Sequence, residues 1–582
     1  MKKHPKRRTA KRKAKQRARA PLPRPWSWIL PVAVGAVAPL LLLLLLELGL
    51  RVGGYGYPTD LAIPVPGRDT YGVNLRFGWR FFPRSIARVC PFFTFRQEKA
   101  PGAYRVVILG ASAAQGYPDN TFSFARALEA MARLRFPDID FEFVNTAIVA
   151  TNSHVVLPIA REFARRDPDL FIVYLGNNEV IGPYGIASDG GRRAGSLGLV
   201  RLGIRLRATK VGQLLEEITG RFRNEEELIQ RWGGMEMYTE NTIAAGDPRL
   251  ARVYDFFESN LCDICAAAEG AGAPVLLCTV PVNLWDSAPF ASLHRADLTD
   301  EERARWEEIY ARAVARDEDG RTEEAIALYR EALAIDDAHA ESQYRLGRCL
   351  LAAGDVAGAR ERFLRARDLD GLRFRADGVI NGRIRSVAAA RPDVFLVDLE
   401  SRFDELVGGP DPIPAETLFF EHVHPTFTGN YRIAETVFPA FVERLRARLG
   451  VGEPDPPAPP SLEECADYLV YTDWNEHRAL GIILELLDDH PFPEQYDHGE
   501  KYARAVHRME ELKRGASQEK MLETYQTYRS AFRERPDDIH LHQNYIELLK
   551  STNQRPAANE EIRRLMQKQP STDWYENEKI MR

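Results

Sequence analysis

Along the middle of the chain, apolar and polar positions follow two alternating periods. Short apolar runs at residues 105–109, 141–144, 170–175, 275–280 and 394–399 read as buried strands. Between them, apolar residues recur at helical spacing. In residues 121–135 the stripe is Phe122, Ala125, Leu128 and Ala132. Residues 153–166, 250–269, 379–389 and 428–449 read as further helices. Strands alternating with helices predict an α/β fold, a parallel sheet with right-handed crossovers. Such sheets place their chemistry outside the carboxyl ends of the strands. Residues 180–250 are rich in Gly and Arg and less regular, and read as an excursion beside those ends.

The alternation stops for about a hundred residues after 280, and a repeat takes its place. Ala325, Tyr329 and Ala332 return 34 residues later as Ala359, Phe363 and Ala366, with Leu346-Gly347 ahead of the second set. Paired helices with small residues where they touch, at this period, resemble the tetratricopeptide repeat over residues 304–370. A Pro-rich stretch at 454–460 reads as a linker. Residues 461–582 are mostly helical, and Pro536 and Pro570, again 34 apart, resemble further units of the same kind. Stacked repeats form a concave surface that binds a protein or peptide, so a protein partner is expected.

Composition changes the picture at the N-terminus. The 582-residue chain has a net charge of −5, yet residues 1–25 hold twelve Lys and Arg and no acid. Residues 26–50 are apolar apart from Ser27 and Glu47, long enough to cross a bilayer. The basic flank then predicts a single-pass anchor, N-terminus in the cytoplasm and body outside, which in a bacterial cell would be the inner membrane and the periplasm. A cleaved signal peptide is the alternative. The acidic body argues against nucleic-acid binding. The expected organisation is a basic tail (1–25), an anchor (26–50), a lead-in (51–103), a core in two parts (104–300 and 372–450), inserted repeats (301–371), a linker (451–460) and a helical C-terminal region (461–582). Six cysteines are too few for a disulfide framework. Cys262 and Cys265 have redox or metal spacing, but no further Cys and His accompany them as a closed zinc site requires, and they also read as small buried residues. No metal or cofactor is expected, and no Walker-type phosphate loop is present.

Four short blocks carry candidate chemistry: Gly110-Ala111-Ser112, Asn145-Thr146-Ala147, Gly176-Asn177-Asn178-Glu179, and Glu421-His422-Val423-His424-Pro425. In this order, each at a strand end or before the closing helix, they resemble the SGNH (GDSL-like) hydrolase superfamily over residues 104–181, 250–285 and 372–448. More narrowly, the chain is similar to membrane-anchored bacterial members with tetratricopeptide repeats. The resemblance implies a flavodoxin-like three-layer sheet with an inserted helical pair and a helical C-terminal domain. It implies Ser112 as nucleophile, His424 as its base and Glu421 as the acid orienting the imidazole. The oxyanion hole would be the backbone N–H groups of Ser112 and Ala147 and the side-chain amide of Asn178.

Alternatives stay open on the residues themselves. Ser112 also reads as a helix cap, and His424 as a surface-loop histidine. His422 is a competing base, Asn177 a competing donor, and Asn178 a common turn residue. His154 reads as the start of a helix. Three positions depart from the superfamily pattern: Ala111 replaces an Asp, Ala147 a Gly, and Glu421 an Asp. The expected function is a serine esterase or O-acyltransferase working through an acyl-enzyme, on envelope glycans or lipids by reason of location. The other reading is a catalytically silent domain in a repeat scaffold that binds an envelope protein.

Overall fold

The structure is a computed structural model that describes Met1 and residues 26–188, 195–220, 233–450 and 457–568. The rest of the basic tail, most of the linker at 451–460, and Pro570 lie outside the described residues. The chain divides into two units, residues 1–57 with 205–223, and residues 58–204 with 224–582.

In the first unit the helix Trp26–Val52 packs against the helix Lys210–Gly220. Glu47 Oε2 accepts from Val211 N (2.9 Å), and Tyr57 N donates to Gln213 Oε1 (3.0 Å). This helix covers the expected anchor, but the expectation is overturned. Among the described residues no helix is long and apolar enough to cross a membrane. A crossing needs about 20 predominantly apolar residues. From Gly35 onward the run instead carries Glu47 and Arg51, ion-paired at 2.7 Å within the last two turns. The inner-membrane location, the cytoplasmic N-terminus and the periplasmic body inferred from that anchor fall with it.

Among the described residues the second unit holds two sheets. The small antiparallel one joins β1 (Ala62–Pro64), β2 (Thr70–Val73) and β3 (Thr94–Arg96). The central sheet joins β4 (Tyr104–Gly110), β5 (Phe141–Asn145), β6 (Leu170–Tyr174), β7 (Val275–Cys278) and β8 (Val394–Val397). All of its pairings are parallel and the strand order is β5-β4-β6-β7-β8. β4 and β6 are buried along their whole length, as their unbroken apolar runs require. The helices Phe124–Arg135 and Phe427–Leu449 pack together as one group. Ser153–Phe163, Arg249–Gly270 and Gly378–Ala389 form another. The chain leaves β4 for β5 on one side and returns past it to β6. That reversal lies beyond Gly110 and Tyr174, the place where sheets of this topology hold ligands.

Between β7 and β8, ahead of Gly378–Ala389, come the four helices of the insert, Asp300–Glu318, Thr322–Ile335, Ala340–Ala352 and Val356–Leu369. The six residues that carry the 34-residue offset are all buried. Gly347 is a close approach: a Cβ there would sit 2.7 Å from the Phe363 ring. Gly320 and Gly354, also 34 apart, both take positive φ at the tight turns (+72° and +85°). Trp285, on the loop after β7, meets Phe363 edge-on at 5.3 Å and so packs the insert onto the sheet.

The C-terminal helices, from Leu462–Leu469 to Arg555–Lys568, fold back on the core. Asn544 Nδ2 donates to Thr121 Oγ1 (2.6 Å), Arg126 pairs with Asp538 (2.7 Å), and Arg478 pairs with Asp119. Tyr471 stacks on Phe427 at 4.1 Å.

Candidate functional site

β4 ends at Gly110, where a Cβ would lie 2.4 Å from the Tyr174 carbonyl oxygen, so the strand tip tolerates no side chain. Ala111 is extended, and Ser112 starts the short helix Ser112–Gln115. Ser112 is therefore its first helical residue and not its cap, and it is half-buried. The chain turns at Gly116 (φ +94°), and Tyr117 N donates back to the Ser112 carbonyl (3.1 Å).

The acid and both histidines sit on one loop, closed by a bridge between Phe419 and Pro425 and by Phe420 N donating to the His424 carbonyl (2.9 Å). Glu421 is fully buried. Its Oε1 accepts from His424 N at 2.7 Å and lies 2.6 Å from His424 Nδ1. Its Oε2 lies against His422 Nδ1. The ring contacts are close but not aligned as hydrogen bonds. Burial works to raise the Glu421 carboxyl, but the two imidazoles prevail and hold it well below the usual range. Burial pushes His422 down. Glu421 is thus an anion shared by two imidazoles.

The two rings face different surroundings. His424 lies 4.8 Å from the Tyr117 ring, so it stands over the turn that follows Ser112. Its Nε2 is buried with no hydrogen-bond partner among the described residues, so the bond expected between Ser112 Oγ and its base is not formed. In unliganded sites such bonds are often long and tighten when substrate binds. His422 points into the rings of Phe290, Phe374 and Phe492 at 5.0, 6.3 and 5.5 Å. Asn430 braces the two halves of the site. Its Oδ1 accepts from Phe124 N (2.9 Å), and its Nδ2 donates to the Pro425 carbonyl (3.1 Å).

The expected donors are placed unevenly. Asn178 Nδ2 donates to the Thr151 carbonyl (3.0 Å), which uses one of its two protons. Asn177 turns away, its Oδ1 accepting from Ala376 N (3.0 Å). The Ala147 N–H is already directed at Asn145 Oδ1 (3.2 Å), and Asn145 Nδ2 donates to the Ala114 carbonyl (2.9 Å). His154 is buried near the start of Ser153–Phe163, with Nδ1 3.1 Å from Asn260 Nδ2, and burial lowers it to about 4.

Three residues without an expected role support this arrangement. Glu179 accepts from Ser153 N (2.9 Å) and Ser153 Oγ (2.7 Å), fastening the Asn178 turn to a helix start. Burial raises its carboxyl to about 7. Tyr117 covers His424. Asn283 grips the histidine loop, its N donating to the His422 carbonyl (2.9 Å) and its Nδ2 to the Glu421 carbonyl (3.1 Å). Only Glu179, the last residue of the Asn178 block, carried a local signal. The other two contacts are made by the folded chain.

Cys262 and Cys265 are free thiols in Arg249–Gly270, and burial pushes Cys265 up to about 12. Among the described residues no group of three or more His, Cys, Asp or Glu is placed to hold a metal ion.

A family model described as tetratricopeptide repeat matches residues 318–375. No curated protein matches the sequence. Among solved structures the chain is similar to an acetyl xylan esterase, AlAXEase, at 12% identity. The match covers 58% of this chain and 98% of that one with a TM-score of 0.26, too slight to carry fold or activity across.

Proposed function

We propose that the chain is a serine hydrolase of ester bonds, with Ser112 as nucleophile, His424 as base and Glu421 as orienting acid. One observation carries this reading: a fully buried carboxylate holds the Nδ1 side of His424 while Nε2 stays unpartnered beside the turn after Ser112. An imidazole held at one nitrogen and open at the other is what a general base requires. Ser112 Oγ attacks the ester carbonyl carbon as His424 Nε2 takes its proton. The tetrahedral oxyanion is met by the Ser112 N–H and the second amide proton of Asn178. The intermediate collapses to an acyl-serine, and His424 returns the proton to the departing alkoxide. Water, or an acceptor alcohol in a transferase, then attacks the acyl-serine with His424 again as base, regenerating Ser112. The Ala147 N–H joins only if it leaves Asn145 Oδ1.

A fluorescent fluorophosphonate forms a covalent adduct only with an activated serine. Labelling of the full chain is expected, with loss in both Ser112→Ala and His424→Ala. Labelling that survives Ser112→Ala places the nucleophile elsewhere. Absence of labelling in folded protein favours the second reading, a silent domain carried by repeats that bind a protein. The tetratricopeptide match at 318–375 favours that partner role and is compatible with either outcome.

A further inference from the structure

We propose that His422 is a positioning residue for the reaction: its Nδ1–H holds the second oxygen of Glu421, so that the first stays aimed at His424. The inference rests on the serine-hydrolase reading above and names a component that a three-residue description leaves out.

Glu421 is buried, so each oxygen needs a partner. Oε1 is taken by the backbone N and Nδ1 of His424. For Oε2, His422 Nδ1 is the remaining close polar contact. Without it the carboxylate would keep a desolvated oxygen. It could then rotate toward any other donor or take up a proton, and either change would end its hold on His424.

His422 is built to remain a neutral donor. Phe290 from the loop after β7, Phe374 from the segment after the repeats and Phe492 from the C-terminal helices enclose its ring. The ionisable groups facing it are Glu421, His424 and Arg375, and Arg375 is neutralised by Asp370 at 3.0 Å. Burial in the apolar cage opposes a second proton and outweighs the Glu421 carboxylate, which favours one. A neutral imidazole with its proton on Nδ1 therefore meets Oε2. When His424 takes the serine proton, the buried cluster passes from net negative to neutral. A charged His422 would instead carry it from neutral to positive, which a low-dielectric site resists. The same cage removes His422 as the competing base, because its ring faces three phenyl rings and not the Ser112 turn.

Two substitutions separate positioning from packing. His422→Asn places an amide N–H near the Nδ1 position and loses ring volume. His422→Phe keeps the ring and loses the donor. Both are compared in the full chain with wild type, using p-nitrophenyl acetate turnover against pH and thermal unfolding. If His422 positions the carboxylate, His422→Asn keeps the acid limb of kcat/KM within a few tenths of a pH unit. His422→Phe moves that limb up by about one unit, as Glu421 loses a partner of its anion, and lowers kcat about 10- to 100-fold. The reverse order, or two variants equal to wild type, makes His422 a packing residue and overturns the proposal. Spectra of 15N-histidine-labelled wild type give a readout that needs neither variant. A neutral His422 protonated on Nδ1 is expected, and a proton on Nε2 alone overturns the proposal. Failure of the underlying reading looks different: Ser112→Ala would retain wild-type turnover whatever stands at 422.

Discussion

Replacing Glu421 with Gln tests the site at its most buried point. The change keeps the side-chain volume, removes the charge and turns one oxygen into an NH2 group. Only one face of the amide can accept. If its oxygen serves His424, its NH2 points at His422 Nδ1, and two N–H groups oppose each other unless His422 moves its proton to Nε2, into the phenyl cage. If the amide is reversed, the same conflict falls on His424, whose backbone N also points there. Leaving one such group unsatisfied costs about 1–3 kcal/mol of stability. The expected catalytic loss is larger, because the proposed base loses both its orientation and the anion that stabilises its charged form: roughly 10³- to 10⁴-fold in kcat.

The stability effect also has a sign in pH. The folded carboxyl lies below its unfolded value, so ionised Glu421 stabilises the fold above the normal carboxylate range. That contribution is lost as pH falls through the depressed folded pKa. Thermal unfolding should therefore show a deficit for Glu421→Gln at pH 7 that narrows in acid, measured beside turnover at pH 7. A variant that keeps turnover within threefold of wild type would refute the assignment of Glu421 as the orienting acid. A deficit that widens in acid would refute the ionised state assigned to it.

Two further outcomes follow from the packing. Phe363→Ala removes a ring, 1% exposed, lying between Trp285, Tyr344 and the bare face of Gly347, and should cost about 3–5 kcal/mol in chemical denaturation; a loss below 1 kcal/mol would mean that this helix pair is loosely held. Glu179 behaves opposite to Glu421: its carboxyl is raised to about 7, so wild type loses stability relative to Glu179→Gln as pH rises from about 4.5 to 7, and a flat difference would show that the Ser153 contacts fully offset burial.

The sequence made the central sheet readable because its strands are buried on both faces and leave unbroken apolar runs, while the helices between them bury one stripe. The five expected strands and five helices fall within a few residues of those observed. The repeats were legible for a different reason: Ala325 and Ala359 sit where helices touch, so the 34-residue offset is a packing constraint written twice. The Glu421-x-x-His424 spacing was legible because one loop supplies both groups. Contacts between distant segments were not. The opposite facings of His422 and His424 depend on Phe290, Phe374 and Phe492, which no local period links. The diversion of the Ala147 amide to Asn145 is a side-chain choice within a three-residue block. The expected anchor failed because the apolar run was read by its overall length, across Glu47, whose carboxylate pairs with Arg51 and caps toward Val211.

The insertion of the repeats between β7 and β8 sets a timetable for the ribosome. β7 emerges with all four residues, Val275–Cys278, destined for the interior, and its neighbour β8 follows about 115 residues later. At roughly 5–20 residues per second the open edge waits about 6–23 s for its partner. During that interval Ser112 is already synthesised and His424 is not, so the nascent chain holds the proposed nucleophile without its proposed base. The repeat helices make mostly local contacts and can fold while the sheet waits. A translational pause inside the repeats would lengthen the exposure of an apolar strand edge, and slow codons there would be read out as aggregation rather than as lost chemistry.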